Sequence, residues 1–353
     1  MYELTPLARA ALLCGAAASL AACSAGAAGA PSPQSAPATS LRQSASQSAL
    51  GAHVAGSHGS IRYGPPAIAA HRGGGWISPA AKTGGILYGS SYDGGFINLY
   101  SVKGNNQQVT GQLRDTLVSP QGMVVDRHQQ LWVANTNAST IVGFKRGSTT
   151  PFTTLNDPGY YPVTLAVGND GTVYAANVVS LTGPPGNVEV YAPGSTSPTA
   201  TLTYGGFLLV LGIGIDANNN LYVSYQPQSG PAAVVEFPSG SQTAQPVPLS
   251  DVSDGDIVFD RQSNLVMANG SGGLGIWATP YNGNPARSIP AFGNEPTFNR
   301  KENKVWVALA DFSTPKILGY NYTNGALVDT ITNGWTVNGP IPYGVAIDPA
   351  APL

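Results

Sequence analysis

Between Pro120 and Gly147 the chain reads PQGMVVDRHQQLWVANTNASTIVGFKRG. A short apolar run, Gly122 to Val125, leads into a polar turn that opens at Asp126. A second run follows at Leu131 to Asn135, then a polar loop, then a third run at Thr140 to Phe144. Brief apolar runs bounded by Gly, Pro, Asn and Asp have the length and punctuation of strands, not helices. The pattern predicts an antiparallel meander, and variants of it return until the chain ends.

The second-strand motif recurs as Leu87-Tyr88, Leu131-Trp132, Val173-Tyr174, Leu221-Tyr222, Leu265-Val266 and Val305-Trp306, at intervals of 40 to 48 residues. A third strand follows in each unit, as in Ile97 to Tyr100, Ile141 to Phe144, Val188 to Tyr191, Val234 to Phe237 and Ile317 to Tyr320. It is weakest in the fifth unit, Leu274 to Trp277. A period of about 40–45 residues with several strands per unit is the mark of a β-propeller blade. The last unit is cut short. Pro342 to Asp348 repeats the first-strand pattern of Pro120 to Asp126, and the chain stops at Leu353. The unit at Leu87 has a second strand and no good first strand before it. Placing the C-terminal strand there closes the ring and removes open edges. The expectation is an all-β, six-bladed β-propeller of four-stranded antiparallel blades over 76–353, with the C-terminal strand completing the first blade.

Composition supports this and removes one class of partner. Gly 44 and Pro 29 in 353 residues supply the turns that many short strands need. Charged residues make up 10% of the chain, against about 25% in a typical soluble protein. With a net charge of −2 there is no concentrated basic stripe for phosphate backbones, so nucleic acid is not expected. Lys145-Arg146 and Arg300-Lys301 are isolated pairs, read as solvated turn residues. A monomer is expected.

The N-terminus reads as an export leader. Ala10 to Ala22 is an apolar small-residue run, too short to span a bilayer, and it ends in Leu20-Ala21-Ala22-Cys23. That tetrapeptide resembles the bacterial lipobox, which implies a lipoprotein signal at 1–22 and lipid attachment at Cys23. The alternative is an ordinary cleaved signal with Cys23 incidental. Cys14 and Cys23 are the two cysteines of the chain, so no disulfide is available to the exported domain. Residues 23–75 are rich in Ala, Ser, Pro and Gly and are expected to be a flexible tether. The anchor would be lipid alone, and the location the bacterial cell envelope.

The blade pattern, with its Gly-apolar-apolar-apolar-Asp strand, turn and Leu-Tyr/Trp-Val-Ala-Asn strand, resembles NHL-repeat and SMP-30/gluconolactonase-like six-bladed propellers. It also resembles uncharacterised exported bacterial lipoproteins of that architecture. The resemblance covers about Gly85 to Pro349.

Repetition separates structure from chemistry. Asp126, Asp216, Asp260 and Asp348 all end first strands, where a carboxylate can accept backbone N–H bonds in the turn that follows. Asn135, Asn177 and Asn269 end second strands and are read mainly as turn formers. The loops entering first strands and leaving second strands share one end of the ring. They give a candidate binding face of Tyr160, Tyr161, Asp254, Glu295, Tyr343, Asn135, Asn269 and Asp311. The expected role is an interaction module for a small ligand, a polysaccharide or an envelope protein, with no cofactor. The SMP-30 resemblance implies the alternative, a lactonase or hydrolase in which Glu295 and Asn/Asp oxygens would hold Ca²⁺. A structural envelope protein is a third reading. No histidine of the blades falls on this face, His128 lying in a turn at the opposite end. No G-x-S-x-G, H-E-x-x-H or P-loop is present.

Overall fold

Second strands are apolar at nearly every residue because both of their faces are covered. Leu131 and Val133 pack into a cluster with Ile86, Tyr88 and Leu99. Their alternate neighbours Trp132 and Ala134 pack with Leu165, Val173 and Ala175. Side chains of a strand alternate between its two faces, so one continuous apolar run serves two interfaces.

The computed structural model describes residues 74–350. Blade one contains β1 (Trp76–Ile77), β2 (Ile86–Ser91), β3 (Phe96–Ser101) and β4 (Val109–Leu113). Blade two is β5 (Pro120–Val125), β6 (Gln130–Asn135), β7 (Thr140–Lys145) and β8 (Pro151–Asn156). Blade three is β9 (Tyr160–Val167), β10 (Val173–Ser180), β11 (Asn187–Tyr191) and β12 (Ala200–Leu202). Blade four is β13 (Leu209–Ile215), β14 (Leu221–Gln226), β15 (Ala233–Phe237) and β16 (Gln245–Val247). Blade five is β17 (Val258–Phe259), β18 (Leu265–Ala268), β19 (Leu274–Trp277) and β20 (Arg287–Ile289). Blade six is β21 (Asn294–Phe298), β22 (Lys304–Leu309), β23 (Lys316–Asn321) and β24 (Leu327–Ile331), and the chain ends in β25 (Val345–Asp348). There is no α-helix among the described residues, and none there could cross a membrane.

Each blade is an antiparallel sheet in chain order, with its first strand innermost. The ring closes as the repeat pattern predicts. β25 pairs antiparallel with β2, Leu87 opposite Ile347 and Tyr88 opposite Ala346, and takes the first-strand place in blade one. Blade one gains a fifth strand, since β1 pairs with β4 through Trp76–Gln112 and Ile77–Gly111. The closing strand is pinned at its end. Asp348 is fully buried and forms an ion pair with Arg146 of blade two, which also donates to Gly84 O. The leader at 1–22, Cys23 and all of the tether but Gly74 and Gly75 lie outside the described residues.

Three of the four end-of-strand aspartates do what the repeat suggests, while Asp348 pairs with Arg146. Asp126 Oδ1 accepts from the N–H groups of His128 and Gln130, both at 2.8 Å. Asp216 and Asp260 repeat this with Asn218 and Asn220, and with Gln262 and Asn264. The second oxygen is capped by the Trp132 indole on Asp126 and by the Nδ2 of an Asn four residues on in blades four and five, Asn220 on Asp216 and Asn264 on Asp260.

Candidate functional site

The inner strands approach one another through glycine. A Cβ on Gly212 of β13 would overlap the backbone of Gly255 and lie 2.6 Å from Asp256 Cα. A Cβ on Gly344 would overlap Glu295 Oε2 and lie 2.6 Å from Gln121 O. Only glycine permits backbones this close. The centre of the ring is therefore narrow, and its main cavity has a volume of about 40 Å³. The lining includes Gln121, Thr164, Asp254, Asp256, Glu295 and Tyr343, from blades two, three, five, six and one. A space of that size admits about three or four waters, given roughly 10–15 Å³ for each. It is far below the roughly 300–1,000 Å³ of a small-molecule pocket.

Two carboxylates share this chamber. Asp256 Oδ1 accepts from Thr164 Oγ1 at 2.9 Å and from Ile213 N at 3.1 Å, which ties blade five to blades three and four. Glu295 Oε2 accepts from Met123 N at 3.3 Å, which ties blade six to blade two. Glu295 sits at φ 50°, a left-handed backbone position uncommon for Glu. Burial pushes the Asp256 carboxyl upward, against the pull of its bonds from Thr164 and Ile213. Burial pushes Glu295 well above the usual carboxylate range, and the neighbouring Asp256 charge adds to it. Two like charges lining one small site each disfavour ionisation of the other. The arrangement is an acid pair whose carboxyls are both pushed upward by burial while they brace inner strands of several blades.

Of the candidate face, the structure brings Asp254, Glu295 and Tyr343 to this cavity. Tyr343 also packs on Tyr92, ring centroids 5.5 Å apart, in a cluster with Ile341. Asp254 accepts from its neighbour Ser253 Oγ at 2.9 Å. The other five lie elsewhere. Tyr161 is buried against Val163, Val178 and Leu209. Tyr160 offers its backbone carbonyl to Ser139 Oγ. Asn135 is buried and fastens the loop entering its own blade. Its Oδ1 accepts from Val118 N, and its Nδ2 donates to Thr116 O at 3.0 Å and to Thr140 Oγ1 at 3.1 Å. Asn269 Nδ2 donates to Ser288 Oγ at 2.8 Å, within blade five. Asp311 caps an exposed turn, accepting from Ser313 N and Thr314 Oγ1, and these bonds hold its carboxyl below the usual range.

The residues do not fit a calcium cage. The five oxygen donors that the lactonase resemblance implies are Glu295, Asn135, Asn269, Asp254 and Asp311. Asn135 and Asp311 have their oxygens in protein hydrogen bonds, and Asn135, Asn269 and Asp311 stand away from the cavity. Among the described residues no three His, Cys, Asp or Glu side chains are grouped to hold a metal ion.

Asp256, Thr164 and Gln121 are members of this site that the repeat pattern does not single out. Asp254-Gly255-Asp256 was a legible acidic run just before a first strand, and its second acid faces the centre. Gln121 and Thr164 lie inside repeated strands, where side chains read as scaffold.

No protein-family model and no curated protein matches the chain. Solved structures do resemble it. One chain of the nidogen/laminin complex crystal structure superposes with a TM-score of 0.60 at 16% identity, covering 75% of this chain and 98% of that one. A chain of Kuenenia stuttgartiensis hydrazine synthase gives a TM-score of 0.49 at 12% identity, covering 74% and 86%. The likeness is one of fold. At 16% identity the match to the nidogen/laminin chain carries fold and nothing of chemistry.

Proposed function

We propose that this protein is an exported, lipid-anchored propeller that works as an interaction module, recognising its partner through the loops around the ring and not by chemistry inside it. The observation that supports this best is the central cavity. At about 40 Å³ it is too small for a lactone or ester, and the inner strands beside it approach one another closely at Gly212 and Gly344. Its acid pair accepts from Thr164, Ile213 and Met123, bonds that join five of the six blades near the ring centre. Anchoring rests on Cys23 at the end of the leader, and kinship with NHL-repeat or SMP-30-like propellers rests on the strand motif alone.

The SMP-30-type hydrolase is the second reading. Glu295 favours it, a raised carboxyl on an inner strand at the ring centre. The purified protein is assayed against a panel of aldonolactones and aryl esters, with and without calcium, beside Glu295→Gln. The module reading expects no turnover above buffer. Turnover that Glu295→Gln abolishes would replace it with the hydrolase. For the anchor, Cys23→Ser should release the protein from membranes in fractionation, and its retention there would refute lipid attachment.

A further inference from the structure

At the other end of the ring, the turn between the first and second strands keeps one design through most blades. A carboxylate opens it, and its fourth residue takes a left-handed backbone, as at Gln129 (φ 61°), Asn219 (φ 62°) and Ser263 (φ 59°). Gly171 holds that place in blade three at φ 89°. Blade six departs twice. Asn299 opens its turn, and the left-handed position is Glu302 at φ 53°. Glu is poorly suited to that conformation, so the departure calls for a reason outside the turn.

Glu302 reaches across to blade five. Its Oε2 accepts from Arg261 N at 2.8 Å, and its Oε1 lies 3.3 Å from Arg261 Nε. Arg261 Nη2 also donates to Arg300 O. A second guanidinium is held opposite. Arg287 lies 4.6 Å above the Tyr322 ring and donates through Nη1 to Tyr322 O at 2.9 Å. Tyr322 is fixed in turn, its hydroxyl donating to Asp260 Oδ2 at 2.8 Å and its ring edge-on to Phe298 at 4.7 Å. Between these groups is a cleft of about 360 Å³, lined also by Gln262, Asn264, Lys301 and Thr323.

The charges in this cleft differ in availability. Asp260 is buried and accepts four bonds, from Gln262 N, Asn264 N, Asn264 Nδ2 and Tyr322 OH. Glu302 is buried and committed to Arg261. A guanidinium has five N–H donors, and Arg287 uses one of them here. Arg261 Nη1 and the exposed Lys301 ammonium make no hydrogen bond. The acids are structural floor, and the free donors are cationic and held in place from two blades. Preset guanidinium forks match carboxylate and phosphate oxygens. The cleft volume is in the range of small-ligand pockets. Gln262 and Thr323 add side-chain groups suited to hydroxyls. The Tyr322 face is already covered by Arg287, so an aromatic ligand has no platform to stack on.

We propose that this cleft between blades five and six binds an anionic sugar, a uronate or a sugar phosphate, with Arg287 and Arg261 gripping the anion and Lys301 guarding the rim. The test is a calorimetric or NMR titration of the purified protein with glucuronate, glucose 6-phosphate, inorganic phosphate and uncharged glucose, at low salt and in 0.5 M NaCl. At least one anionic sugar should bind saturably, weaken at high salt, and exceed both glucose and inorganic phosphate in affinity; the two anionic sugars tell carboxylate from phosphate. Arg287→Ala should weaken it at least tenfold. Lys301→Ala, at an exposed residue without hydrogen bonds, should leave the melting temperature unchanged and weaken binding several-fold. Absence of saturable binding by both anionic sugars overturns the proposal. So does binding that glucose or bare phosphate matches, or that neither substitution weakens.

Discussion

Asp157 offers a test of the packing logic that is independent of any ligand. It is fully buried in the loop entering β9, where Asn177 Nδ2 donates to its Oδ1 at 3.3 Å and the Tyr191 hydroxyl stands close by. Asn177 also donates to Asn187, and Asn187 to Glu189, so a second carboxylate stands nearby. Burial raises the Asp157 carboxyl from 3.8 to about 7, against the pull of Asn177 and with a further push from Glu189. The sign follows from proton linkage. A folded state that holds the proton more tightly than the unfolded chain is most stable below pH 4 and loses stability as pH rises toward 7. The full displacement corresponds to about 4 kcal/mol. Asp157→Asn keeps the acceptor for Asn177 and removes the ionisation. Its amide introduces a fixed cost at Oδ2, so the pH trend is the clean observable. The stability of the variant relative to the parent should climb by about 2–3 kcal/mol between pH 5 and pH 8. For a domain of this size that is at least about 4 °C in melting temperature. Calorimetry of both proteins across that range reads the difference directly, because all other groups cancel. A gap that stays constant with pH would refute the reasoning.

Two further substitutions probe the ring. Arg146→Ala removes the partner of buried Asp348 on the closing strand, and should cost about 3–5 kcal/mol in urea unfolding near pH 8, less as pH falls because burial already pushes this carboxyl upward; a loss under about 0.5 kcal/mol would show that the pair does not hold the strand. Gly344→Ala places a methyl onto Glu295 and Gln121, and should destabilise by about 1–3 kcal/mol. Gly205→Ala, where nothing lies within 4 Å, should stay within about 0.5 kcal/mol. Equal effects at the two glycines would contradict the close approach of the inner strands.

The blades were legible because their strands are buried on both faces, which writes long apolar runs at a fixed period. Ring closure was legible for a similar reason: Pro342 to Asp348 is a first strand with no second strand after it, and Leu87 begins a second strand with no first. Trp76 and Ile77 fall outside the repeat pattern, and only pairing with β4 makes them a strand. The acid pair was only half visible. Glu295 stands out as a charge that the repeat does not require. Its pairing with Asp256 depends on how close two inner strands come, which Gly212 and Gly344 decide across the ring. Asn135 and Asn269 looked like donors for a ligand because an amide at a strand end serves a loop or a ligand equally well. Spatial neighbours decide between the two, and for Asn135 they are Thr116, Val118 and Thr140. The cleft at Arg287 and Glu302 was invisible for a related reason. Arg300-Lys301 reads as a solvated turn until Arg261 and Tyr322 are placed beside it.

The claim that the ring centre is a closed scaffold is most directly tested by a calcium titration followed through thermal unfolding, on the parent and on Glu295→Gln. A site with a dissociation constant of about 50 µM would add about 2.7 kcal/mol at 5 mM calcium, or roughly 5 °C or more. The account predicts a melting temperature that calcium leaves unchanged in both proteins. A calcium-dependent rise in the parent that Glu295→Gln removes would contradict it and return the ring centre to metal chemistry.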